Sequence, residues 1–200
     1  RVLRRGERPL HALRERGVVY VEVRLMDLNP FCAVGIAAGT LRFLDVFLLH
    51  CLLCDSPPDT PQELDAMARN LLCAAVRGRE PGVRLVRGSQ EVALVEWGAQ
   101  VLAECEPIAA ALDGVNGGTG YSDALQNAVA VLEDSALTPS ACVLEAMQQN
   151  HDGSYSQFVL AQSLQHRTAI QSLTLDAGVA ERFARLAEAS LAEQRRIEAA

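Results

Sequence analysis

Val18 to Pro30 constrains this chain more than any other stretch. It reads Val18-Val19-Tyr20-Val21-Glu22-Val23-Arg24-Leu25-Met26-Asp27-Leu28-Asn29-Pro30, the one long β-type run in a sequence that otherwise reads as helical. Side chains alternate faces along a strand. Val19, Val21, Val23 and Leu25 therefore share an apolar, β-branched-rich face, and Tyr20, Glu22, Arg24 and Met26 share the other. Gly17 opens the strand; Asn29-Pro30 closes it, because proline has no N–H for a ladder. A carboxylate and a guanidinium two residues apart on one face can both reach a single ligand. Equally, they can pair with cross-strand neighbours on a solvated face.

The rest of the chain reads as helices joined by turns. Arg8–Arg16 suits a short helix with Pro9 in its first turn and Gly17 as its stop. Phe31–Thr40 is irregular. Leu41–Cys54 is almost continuously apolar, which predicts a buried helix ended by Asp55-Ser56-Pro57-Pro58; it is too short to span a bilayer. Thr60, Pro61 and Glu63 form a capping-box start for a helix to about Val76. Gly78–Gly88 reads as a loop with a short strand at Val83–Val86, and Arg79, Arg84 and Arg87 make a local basic group. Ala93–Leu112 carries a stripe of Leu94, Trp97, Val101, Cys105, Ile108 and Leu112, with Pro107 expected to kink or divide the helix. After the turn Asn116-Gly117-Gly118, helices are expected over Tyr121–Leu132, from the Thr138 cap to about Gln149, from Ser154 to about His166, and from Asp176 onward, fraying from about Glu193.

Composition excludes several chemistries. The net charge of −7 leaves no overall footprint for nucleic acid, and no segment is built to cross a membrane. All cationic side chains are arginine, so neither a Schiff-base lysine nor a phosphate-loop lysine lies in these residues. The six cysteines sit mostly among Leu, Val and Ala, where core packing is the default. Cys51-x-x-Cys54 lacks the second pair of a zinc site and the preceding strand of a redox site, and is read as packing; His50 is read as a core or boundary histidine. Free thiols fit a reducing, cytoplasmic setting. The Arg-rich start without Met leads us to expect an excerpt of a longer protein.

Tyr20-Val21-Glu22-Val23-Arg24 followed by Asp27-Leu28-Asn29-Pro30-Phe31 resembles the signature strand of bacterial glutamate–cysteine ligases, whose shorter Glu-x-Arg core is shared with the wider glutamine synthetase-like superfamily. Arg42-Phe43-Leu44-Asp45, Asn70, Gly78-Arg79-x-Pro81-Gly82, Leu112-Asp113-x-x-Asn116-Gly117-Gly118 and Tyr121 continue the match, which thins beyond about Asn150. The resemblance implies an α+β fold: the edge of a glutamine synthetase-like antiparallel sheet in residues 1–35, then a mostly α-helical region in residues 36–200. It implies the carboxy-terminal portion of such an enzyme, with an amino-terminal portion outside this sequence. The implied activity is ATP-dependent ligation of L-glutamate to L-cysteine with Mg²⁺, or Mn²⁺ in its place. Glu22 is then a metal ligand, Arg24 contacts phosphate and the reacting centre, and Tyr20 flanks the nucleotide. Val19, Val21 and Val23 are expected to face the helices, leaving Glu22 and Arg24 toward the cleft. Another carboxylate–amine ligase, or a non-enzymatic helical interaction module, remains an alternative.

Overall fold

A computed structural model describes residue 4 and residues 6–24, 26–56 and 59–199. Leu25, assigned above to the apolar strand face, and Pro57-Pro58, assigned to a helix stop, lie outside the described residues. The described chain is mostly helical. In order it forms α1 (Pro9–Arg16), α2 (Ala38–Leu53), α3 (Pro61–Arg77), β1 (Arg84–Arg87), β2 (Gln90–Ala93), α4 (Leu94–Asn116), α5 (Gly120–Glu133), a 3₁₀ turn (Ser135–Leu137), α6 (Pro139–Asn150), α7 (Tyr155–Gln171) and α8 (Ala177–Glu198).

The helix starts follow the local chemistry. Glu63 N–H donates to Thr60 Oγ1 at 3.2 Å while Thr60 N–H donates to Glu63 Oε2 at 3.0 Å, a complete capping box for α3. Thr138, Ser154 and Asp176 cap α6, α7 and α8 through their side-chain oxygens. α4 runs as one helix through Pro107, so of the two expected outcomes, a kink or a division, the division does not occur. α8 extends to Glu198 rather than fraying from Glu193, with Arg196 Nε donating to Glu193 Oε2 at 2.8 Å.

The core lies where α2, α4 and α5 meet: Val46, Leu102, Cys105, Ala109 and Leu125 are buried there, backed by Phe43, Ile108 and Leu132. The buried residues of α4 are Leu102, Cys105, Ala109 and Asp113, flanked by the half-buried Leu94, Trp97, Val101, Ile108 and Leu112, so the stripe read in the sequence lies on the covered side. α5 approaches this side closely: a Cβ on Gly98 would come 2.8 Å from Leu132 Cδ2. Asp113 fastens the pair. Its Oδ1 accepts from Tyr121 N–H at 2.8 Å and its Oδ2 from Ser122 N–H at 2.9 Å, so the carboxylate of one helix caps the first turn of the next. Hydrogen bonding from Ser122, then the backbone amides and the Arg42 charge, hold Asp113 below the usual carboxylate range against the opposing effect of burial. Gly117 and Gly118, at φ 79° and 82°, make the reversal between α4 and α5.

A two-stranded antiparallel hairpin stands beside this core, with Arg84 opposite Ala93 and Arg87 opposite Gln90. Sequence reading placed a strand near Val83–Val86 and missed its partner. The signal was Gly88, which takes φ 62° at the first of two turn residues. Asn70 of α3 pairs with the hairpin edge through Val86, donating to its carbonyl at 2.7 Å and accepting from its N–H at 2.8 Å. Two of the basic group are structural: Arg84 Nη2 donates to Glu91 O at 2.6 Å, and Arg87 lies 5.2 Å over the Trp97 ring and donates to Gln100 Oε1 at 2.9 Å.

Three burial expectations fail. α2 buries only Val46 and His50, and Leu52 and Leu53 are exposed. Cys51 and Cys54 are exposed as well, so packing within this chain does not account for them. Val19, Val21 and Val23 do not face the helices; they are 60%, 65% and 46% exposed. The cause is common to the valines: Val18–Arg24 and Met26–Leu28 run without a strand partner among the described residues, and a one-sided apolar face needs a sheet to carry it into a core.

Candidate active site

The candidate site is assembled on the amino-terminal segment. Arg16 at the end of α1 makes a two-pronged contact with Glu7, Nη1 to Oε1 at 2.6 Å and Nη2 to Oε2 at 2.8 Å. Those bonds, together with Arg4 N–H at 2.9 Å, lower Glu7 from 4.5 to about 2. Gly17 ends α1 at φ 68°, its N–H donating to Leu13 O at 2.8 Å, and turns the chain back along the helix.

Tyr20, Glu22 and Arg24 then line a single cavity of about 410 Å³, closed on its other side by Pro9, Ala12, Leu13 and Gly17 of the α1 region. The three polar side chains of this segment line the same cavity. Arg24 Nε donates to Glu22 Oε2 at 2.7 Å, and its Nη2 forms an ion pair with the same oxygen. The hydrogen-bonding pull of Glu22, with its negative charge, pushes the Tyr20 phenol above its ordinary value. Val19 lines the cavity too, which strict alternation would not allow; without a ladder the backbone is free to depart from a flat pleat.

Asn29 and α7 fix the exit of the segment. Asn29 N–H donates to Gly35 O at 2.8 Å, and Asn29 Oδ1 accepts from Phe31 N–H at 3.0 Å, an Asx turn. His166 Nε2 donates to Pro30 O at 2.7 Å, and Phe31 packs edge-on against the fully buried Phe158 with ring centres 5.7 Å apart. Sequence reading assigned Asn29 to this exit but gave no part to His166 or Phe158, which lie more than a hundred residues away in the chain. A larger cavity, about 1170 Å³, opens between α2, α3, α4 and the hairpin. Its walls are mainly apolar, with Phe43, Phe47, Leu71 and Trp97 prominent and Arg79, Glu80, Glu96 and Glu133 among the charged residues.

Comparison with known proteins bears on this geometry. Residues 1–73 match the family model described as glutamate–cysteine ligase, a range that contains the whole Tyr20–Glu22–Arg24 cavity. A glutamate–cysteine ligase of Pseudomonas fluorescens strain Pf0-1 is 45% identical over 99% of this chain, and one from Alcanivorax borkumensis 38% over 100%. The likeness is to bacterial glutamate–cysteine ligase. A crystal structure of glutamate–cysteine ligase from Francisella tularensis in complex with AMP superposes with a TM-score of 0.82 at 30% identity, covering 98% of this chain and 38% of that one. The likeness therefore extends past Asn150, where the sequence motifs thin out. This chain spans 37% of the length of the Pseudomonas ligase and 38% of the Alcanivorax ligase. Among the described residues, no helix is long and apolar enough to cross a membrane.

Proposed function

We propose that this chain supplies one edge of the active site of an ATP-dependent ligase. The enzyme joins the γ-carboxylate of L-glutamate to the amine of L-cysteine, the first step of glutathione biosynthesis, in the cytoplasm. The observation that carries the reading is the convergence of Tyr20, Glu22 and Arg24 on one cavity inside a segment that resembles glutamate–cysteine ligases. Residues 1–35 are the sheet-forming part and residues 36–200 the helical scaffold. The unpaired strand and its exposed valines are completed by a glutamine synthetase-like sheet from the portion of the relatives that this chain does not span.

The residues suit their roles. Glu22 offers a hard carboxylate, and both contacts from Arg24 fall on Oε2, leaving Oε1 for Mg²⁺ or Mn²⁺. The metal, when bound, draws charge from the phosphate oxygens and orients the nucleotide. One carboxylate does not fill the roughly six oxygen positions of Mg²⁺, so further ligands come from the missing portion. Arg24, 78% exposed and permanently charged, would be able to turn from Glu22 to phosphate oxygens. Tyr20 presents its ring beside the nucleotide. In the reaction the glutamate carboxylate oxygen attacks the γ-phosphorus and ADP leaves. The cysteine nitrogen then attacks the acyl carbon, phosphate departs with the bonding electron pair, and the amine proton passes to solvent. Arg24 acts where negative charge gathers in both steps.

The Glu22–Arg24 ion pair favours a second reading, a helical interaction module in which these charges only neutralise each other. The open cavity beneath Tyr20 weighs against it, because a purely structural pair needs no space around it. The test enzyme is a chimaera in which this chain replaces the matching segment of the Pseudomonas fluorescens ligase. Glu22→Gln in that chimaera should cut turnover by at least tenfold and move half-maximal activity to higher Mg²⁺. Unchanged turnover with unchanged Mg²⁺ dependence would sink the proposal.

A further inference from the structure

His50, Cys54 and Glu104 meet at the end of α2, outside the candidate active site. Cys54 Sγ lies 3.5 Å from His50 Nδ1 and 3.6 Å from Nε2, and His50 Nε2 lies 3.5 Å from Glu104 Oε2. One ligand atom from each residue falls within 4.8 Å of the other two. We propose that these three residues form a zinc site that joins α2 to α4, with solvent in the fourth position.

Three observations carry the assignment. The donor set is a thiol, an imidazole and a carboxylate, a combination that suits zinc and not magnesium. The spacing fits as well: bonds of about 2.3 Å to sulfur and about 2.0–2.1 Å to nitrogen or oxygen, at tetrahedral angles, set ligand atoms about 3.3–3.6 Å apart. The thiol–imidazole and imidazole–carboxylate separations are already of that size. Finally, the ligands are held in place by the fold. His50 and Cys54 are four residues apart on one helix face. The Cys54 N–H donates to His50 O at 3.0 Å, which fixes the thiol-bearing residue relative to the imidazole. His50 is only 9% exposed, so its ring is anchored, while Cys54 and Glu104 are open to solvent and give a metal ion its entry path. Packing within this chain explains neither exposed partner. Cys51, the other half of the Cys-x-x-Cys, is exposed and outside the three-atom group.

Binding forms Zn–S, Zn–N and Zn–O bonds and releases the Cys54 thiol proton to the buffer. The inference stands whether or not the ligase reading holds. The test uses chelator-stripped protein titrated with Zn²⁺ by calorimetry and with Co²⁺ as a spectroscopic stand-in. One equivalent should bind with proton release, and Co²⁺ should give a thiolate charge-transfer band with tetrahedral ligand-field intensity, undisturbed by excess Mg²⁺. Cys54→Ser should abolish the band and weaken Zn²⁺ binding at least tenfold, and Glu104→Gln should weaken it at least tenfold. Both side chains are exposed, so circular dichroism should show helix content unchanged. Cys51→Ser should keep both the stoichiometry and the band. Absence of the band, wild-type affinity in Cys54→Ser or Glu104→Gln, or loss of the band in Cys51→Ser alone would each overturn the assignment.

Discussion

Replacing Phe158 with alanine should loosen the candidate site from a distance. Phe158 is fully buried and receives Phe31 and His151 edge-on, each with ring centres 5.7 Å away. Truncation removes about 100–150 Å² of buried apolar surface, or about 3–4 kcal/mol. Loss of the two edge contacts adds about 1 kcal/mol. The expected cost is thus about 4–5 kcal/mol, in the upper part of the range of about 3–5 kcal/mol for a buried phenylalanine reduced to alanine. Phe158→Leu should cost about 1–2 kcal/mol, because most of the volume is kept. Urea unfolding followed by circular dichroism measures both. Phe31 follows directly on the Pro30 carbonyl held by His166, so the exit turn should open with it. Faster hydrogen exchange at the Asn29 and Gly35 amides, which close that turn, is the local readout. A loss below about 1 kcal/mol in Phe158→Ala, with exchange at Asn29 and Gly35 unchanged, would refute the idea that α7 braces the site segment.

Three further outcomes are expected. In the chimaeric ligase, Arg24→Lys keeps the charge but loses the planar fork, so kcat should fall at least tenfold while KM for glutamate changes less than threefold; the reverse split would remove Arg24 from the chemical step. Asn70→Ala deletes two hydrogen bonds to Val86 and should cost about 2 kcal/mol in urea unfolding, while a loss within about 0.5 kcal/mol would mean the hairpin is held by other contacts. Glu7 is depressed in the folded chain, so its bond to Arg16 contributes stability above about 4.5 and loses it as pH falls toward about 2. The Glu7 carboxyl NMR shift should titrate with a midpoint near 2, and a midpoint near 4.5 would show that the Arg16 fork is not formed in solution.

Legibility in the sequence followed the range of the interaction. Thr60-x-x-Glu63, Thr138, Ser154 and Asp176 announced helix starts because a cap is satisfied within three residues. Tyr20, Glu22 and Arg24 are equally local, lying within five residues of one another along one cavity wall. What failed depends on neighbours far along the chain. The close packing of Gly98 against Leu132 was not read, because it needs α5 as well as α4. Leu52, Leu53 and the three valines are apolar enough for a core, yet composition does not say which surface covers them. Cys51-x-x-Cys54 drew attention to the wrong spacing: the His50 to Cys54 interval was the informative one, and Glu104 joins it only through the contact between α2 and α4.

Phosphate release that depends on both glutamate and cysteine, assayed in the Pseudomonas chimaera and in this chain alone, tests the central claim most directly. The claim is that Glu22 and Arg24 form one edge of a ligase site completed elsewhere. The chimaera should release phosphate from ATP only when both amino acids are present, Glu22→Gln and Arg24→Lys should each reduce that release at least tenfold, and the isolated chain should release none. Substrate-dependent release by the isolated chain would contradict the account, as would a folded chimaera without activity or wild-type turnover in both variants.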